Sequence, residues 1–121
     1  MAIPRSLRKK YLDGKELFYL YHVEMGKGGS LNKLRDNLFK NGIYNPETGR
    51  PFLTSGIFQS MWRWALTNFK ESEPIYKTYL RDLGMFMDDA VWRDLIRKRV
   101  KSYLNKTQQR KFYEDNPEYV E

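Results

Sequence analysis

Hydrophobic residues recur along most of this chain every three or four positions, the spacing of one face of an α-helix rather than the alternation of a strand. The first such stretch starts at Asp13 and carries Leu17, Phe18, Leu20, Tyr21 and Val23 to about Met25; Asp13 followed by Glu16 predicts a capping box. Gly26-Lys27-Gly28-Gly29 stops it. Ser30 is expected to cap a second, short helix with Leu31, Leu34 and Leu38 on its apolar face, ended by Asn41-Gly42. From Ile43 to Leu53 the run Asn45-Pro46-Glu47-Thr48-Gly49-Arg50-Pro51 predicts a turn or a small hairpin, since proline inside a helix loses a backbone bond. Thr54 or Ser55 is expected to cap a third helix that passes Trp62 and Trp64 and ends near Phe69.

Ser72, with Pro74 in the first turn, is expected to open a fourth helix ending near Gly84. Asp88 and Asp89 suit a helix amino end, and Trp92, Leu95, Ile96, Val100 and Tyr103 then recur at helical spacing in a fifth. Beyond Asn105, Thr107 is expected to cap a short turn through Phe112. Pro117 and the acidic residues Glu114, Asp115, Glu118 and Glu121 suggest a loose tail.

These elements predict an all-α fold, a compact bundle of about five helices. Residues 1–12 read as a basic arm and 13–106 as one helical domain, divided into a core at 13–70 and carboxy-terminal helices at 72–106. Residues 107–121 read as a short helix or flexible tail. A length of 121 residues suits one hydrophobic core.

With 40% hydrophobic and 16% aromatic residues, the chain is too rich in large rings to be disordered. Its 22 basic and 15 acidic residues leave a formal charge of +7 and a pI near 9.6, which favours polyanionic partners. The absence of cysteine excludes disulfides and thiolate metal sites and points to the cytoplasm, or the nucleoid if the partner is DNA. The basic start runs into Tyr11, Leu12, Asp13 and Gly14 rather than an apolar stretch, so no signal peptide is expected. No apolar run approaches the ~18 residues of a membrane span, so no membrane partner is expected either.

Catalysis has little to draw on. His22 is the only histidine, Asp88-Asp89 reads as helix capping, and Gly26-Lys27-Gly28-Gly29 lacks the spacing of a phosphate-binding loop. Neither enzyme activity nor a metal or cofactor is expected.

Stepping ~100° per residue from Ile57 gathers Gln59, Ser60, Arg63, Thr67 and Lys70 into one polar stripe on the third helix, the remaining positions being apolar except Asn68. Glutamine pairs two ways with adenine and arginine two ways with guanine, so these residue types suit a major groove; a mostly buried helix also shows some polar edge without such a role. Element order and the segment Thr54-Ser55-Gly56-Ile57-Phe58-Gln59-Ser60-Met61-Trp62-Arg63-Trp64 give the span from Asp13 to Phe69 its resemblance to a helix-turn-helix DNA-binding domain. The resemblance implies base readers at Ser55, Gln59, Ser60 and Arg63, and backbone contacts at Ser30, Lys33 or Arg50. The connection from about Asn41 to Leu53 departs from the compact motif, whose turn is only ~3–4 residues.

Further phosphate contacts are expected from Arg5, Arg8, Lys9 and Lys10 in the arm, from Lys70, and from Arg93, Arg97 and Lys101, a row at i, i+4 and i+8 on the fifth helix. The arm also reads as a solvated terminus, and the row as a surface face that Asp89 and Asp94 partly neutralise. The leading expectation is a small bacterial or phage transcriptional regulator that binds duplex DNA. The alternative is an interaction module or small inhibitor that sets its basic face against an acidic protein. Oligomeric state is open at this point.

Overall fold

Asp13 accepts the amides of Lys15 at 3.0 Å and Glu16 at 3.4 Å, which starts α1 (Gly14–Gly26). The computed structural model describes residues 13–45, 47–85 and 88–120. Among them every regular element is helical, with no strand: α1 is followed by α2 (Leu31–Lys40), α3 (Thr54–Thr67), α4 (Phe69–Asp82), α5 (Asp89–Tyr103) and α6 (Lys106–Asp115), then a 3-10 turn at Pro117–Tyr119. The all-α expectation is met with one helix more than expected. Contacts group the residues into two units that divide inside α3, between Met61 and Trp62.

In the first unit α1 packs on α2, burying Leu17 and Phe18 from one and Leu34 and Leu38 from the other. Both helices end the same way. Gly28 (φ +76°) and Gly42 (φ +81°) take the left-handed conformation that side chains disfavour, which lets Gly29 donate to the Glu24 carbonyl at 2.9 Å and Ile43 to the Leu38 carbonyl at 2.8 Å. Ser30 caps α2 as expected, its Oγ accepting from the Lys33 amide at 3.2 Å. The stretch that follows is a closed turn rather than a hairpin: Asn45 N donates to Arg50 O at 3.0 Å and Gly49 N to Asn45 O at 2.8 Å.

The amino half of α3, with Ile57 and Met61 fully buried, completes this unit. The helix starts earlier than expected: Ile57 N bonds to the Leu53 carbonyl at 3.0 Å, so Thr54 and Ser55 are its first two residues and not its cap.

In the second unit α3 ends at Thr67 because two polar side chains turn back on its last carbonyls. Thr67 Oγ1 donates to Arg63 O at 2.8 Å, and Asn68 Nδ2 to Trp64 O at 3.0 Å. The next helix therefore begins at Phe69, three residues before the expected start, and Pro74 lies inside it. Ser72 is buried and caps nothing; its Oγ donates to Ala65 O at 2.5 Å, fastening α4 to α3.

Asp88 caps α5 through the Val91 amide at 2.8 Å, as expected. The last helix is longer than the expected turn, and its cap is Asn105 rather than Thr107. Asn105 Oδ1 accepts from Gln108 N at 2.8 Å while Asn105 N donates to Gln108 Oε1 at 3.0 Å, a complete capping box.

The expected loose tail is anchored instead. Residues 117–119 pack on α5 and α6, and Tyr119 is buried with its ring edge-on to Phe69 at 5.3 Å. Trp92, Ile96 and Val100 of α5, with Leu66, Leu80 and Phe112, supply much of the remaining core.

Candidate nucleic-acid interface

Ser55, Gln59 and Arg63 are exposed and stand one turn apart along α3, while Ser60 is half-buried beside them. The stripe read from the sequence is shortened at its far end. Thr67 spends its hydroxyl on the helix's own carbonyls, and Lys70 belongs to α4 because the backbone breaks at Asn68. A helical wheel assumes an unbroken helix, and that assumption fails where Thr67 and Asn68 compete for the carbonyls.

Of the expected backbone contacts in the first unit, Lys33 and Arg50 are exposed, Arg50 at the base of the closed turn. The Ser30 hydroxyl is engaged as the cap of α2. Arg5, Arg8, Lys9 and Lys10 lie outside the described residues.

α5 sorts its five cations by what surrounds them. The buried seam of Trp92, Ile96 and Val100 fixes which face turns inward. Beside it the Arg99 guanidinium lies 4.9 Å from the centre of the Trp62 ring and bonds to the Tyr76 hydroxyl. Burial raises the pKa of that phenol and the nearby Arg99 charge partly offsets the rise, so Tyr76 stays neutral and its oxygen accepts from the guanidinium. Asp94 takes two more cations, Lys98 at 3.1 Å and the half-buried Arg97 at 3.9 Å. Arg93 and Lys101 remain, both exposed and without an ion-pair partner among the described residues.

No family model, curated protein or solved structure matches this chain.

Sequence reasoning missed an open groove of about 700 Å³ within the second unit, where the α3–α4 junction meets the start of α6. Phe69 and Phe112, ring centres 5.2 Å apart, form its floor. Lys70 and Gln108 line its rim with Lys111, which pairs with Asp115 at 3.1 Å. The Asn105-x-x-Gln108 box that positions Gln108 was readable as a capping signal. The approach of α6 to Phe69 was not, because it rests on contacts distant in sequence.

His22 joins no catalytic set. Its Nδ1 donates to the Phe18 carbonyl at 2.7 Å and its ring packs 4.4 Å from that of Phe18, while burial lowers its pKa below the ordinary histidine value. Among the described residues no cluster of histidine and carboxylate side chains is arranged to hold a metal, and no helix is long and apolar enough to cross a membrane.

Proposed function

We propose that this protein binds duplex DNA, with α5 supplying phosphate contacts and the exposed line of α3 reading base edges. The observation that carries the reading is the pair Arg93 and Lys101, two exposed cations on one side of α5 without an ion-pair partner among the described residues. Eight residues of helix place them ~12 Å apart along the axis, which is about the width of the major groove between its flanking phosphates. Arg97 lies between them but shares its charge with Asp94, so it is the weaker contact of the row.

For base reading, Gln59 and Arg63 carry planar groups able to make two bonds each to adenine and guanine, and Ser55 a hydroxyl that serves either base or phosphate. These features support a helix-turn-helix mode, in which α3 is the recognition helix. Lys33 and Arg50 then serve as additional backbone contacts, as does Lys70. A small transcriptional regulator is the role this assigns.

Titration of the full chain with labelled duplexes of random and selected sequence, at several salt concentrations, tests the reading. Binding to duplex DNA whose affinity falls linearly with the logarithm of salt is expected. Absence of duplex binding at ~50 mM salt, combined with capture of an acidic protein, would transfer the basic face to a protein partner.

A further inference from the structure

Asp94 stands in the middle of the basic face of α5. Stepping ~100° per residue from Arg93 puts Arg97 at ~40°, Lys101 at ~80°, Asp94 at ~100° and Lys98 at ~140°, so one carboxylate sits inside an arc of four cations. Its two oxygens are divided between two of them: Oδ1 lies 3.9 Å from Arg97 Nη2, and Oδ2 lies 3.1 Å from Lys98 Nζ. Asp94 and Lys98 stay exposed in this arrangement and Arg97 half-buried.

Exposed ion pairs at helical spacing add little to stability, so the fold gains little from these two. Their larger effect is on what the face can bind. Arg97 and Lys98 offer a carboxylate the same charge-assisted contacts that they would offer two oxygens of a phosphate. A duplex that approaches α5 must therefore displace Asp94 before it can use them. Repulsion between the carboxylate and an incoming phosphate acts in the same direction.

We infer that Asp94 is an internal stand-in for a DNA phosphate, which keeps Arg97 and Lys98 out of the contact and limits the protein's sequence-independent grip on duplex DNA. The inference rests on the DNA-binding reading and adds a restraint to it. Random sites far outnumber specific ones in a genome, so a weaker general grip leaves more of the protein free to reach its own. Base reading by α3 is untouched, because the carboxylate acts on phosphate contacts alone.

Fluorescence anisotropy of the full chain with random and selected duplexes, from ~50 to ~200 mM salt, tests this with Asp94→Asn. Asp89→Asn controls for the charge change alone, since Asp89 is exposed on the same helix and has no ion-pair partner among the described residues. Freeing two cations for phosphates is expected to steepen the logarithmic salt slope by ~1.8. The affinity advantage of Asp94→Asn over the wild type then shrinks about tenfold across that range. Both duplexes gain alike, and the ratio between them stays that of the wild type. Asp89→Asn is expected to change the slope by less than half as much. When Arg97→Ala and Lys98→Ala are already present, adding Asp94→Asn is expected to do no more than adding Asp89→Asn. Circular dichroism confirms that each variant is folded. A wild type that binds no duplex at ~50 mM salt overturns the DNA-binding reading and this inference with it. A wild type that binds, with Asp94→Asn matching Asp89→Asn in slope or keeping its full gain without Arg97 and Lys98, overturns this inference alone.

Discussion

The Tyr119 hydroxyl accepts a hydrogen bond from Trp92 Nε1 at 2.7 Å and donates one to Glu73 Oε2 at 2.5 Å, joining the 3-10 turn to α5 and α4 at a single atom. Burial and the adjacent Glu73 carboxylate both push the phenol's pKa upward, so it remains the donor to Glu73. Removing the hydroxyl leaves the buried Trp92 N–H without an acceptor. Tyr119→Phe is therefore expected to cost ~1–3 kcal/mol, read as a lower urea midpoint at unchanged slope. A variant as stable as the parent would assign the Trp92 N–H another partner.

The capping box at the start of α6 makes a second, local prediction. Asn105→Ala removes the acceptor for Gln108 N and is expected to destabilise the fold by ~1 kcal/mol, whereas Thr107→Ala, within the helix, is expected to change stability by less than ~0.5 kcal/mol. Equal losses from the two would contradict the position of the cap.

His22 gives the fold a pH dependence of known sign. Its pKa is lowered by burial, so the unfolded chain takes up the proton first. Stability from this residue is complete above the unfolded value of ~6.5 and declines as pH falls below it toward the lowered folded value. Denaturant titrations at pH 7.5 and 5.5 are expected to show a loss on acidification that His22→Phe reduces; an identical loss in the variant would place the sensitivity elsewhere.

For α5, replacing Arg93 and Lys101 together with alanine is expected to lower affinity for all duplexes alike and to reduce the salt slope by ~2. Replacing Lys98, already committed to Asp94, is expected to change the slope by less than one. On α3, Gln59→Ala and Arg63→Ala are each expected to erode discrimination between sequences by ~1–3 kcal/mol while leaving affinity for random duplex nearly unchanged. Comparison of selected and random duplexes by fluorescence anisotropy separates the two kinds of loss.

How much was legible depends on the range of the interaction that decides each feature. Asp13, Ser30 and Asp88 cap the helices they were expected to cap, because a cap is a bond across two or three residues. Gly42 stops α2 for an equally local reason. The boundary at Asn68 was misplaced even though its causes are also local, because Thr67 and Asn68 choose between solvent and helix carbonyls, and composition does not record that choice. Ser72 looked like a cap since serine often is one; its hydroxyl instead meets Ala65, seven residues back, once α4 folds against α3.

The anchoring of Tyr119 spans 27 residues to Trp92 and 46 to Glu73, and nothing in the tail's own acidic composition announces it. On α5 the basic surplus was countable from the sequence, but its division was not. Arg99 goes to Trp62, Arg97 and Lys98 go to Asp94, and only the folded geometry leaves Arg93 and Lys101 facing solvent.

The turn between α2 and α3 is tied across its base by the bond from Asn45 to Arg50, while Glu47, Thr48 and Gly49 at its tip are exposed. Its two ends are therefore held side by side whatever the tip contains, and lengthening such a loop adds only a slowly growing entropic cost. That makes the tip a natural port for an inserted peptide tag or fluorescent reporter, giving a handle on the protein that leaves both α3 and α5 unlabelled.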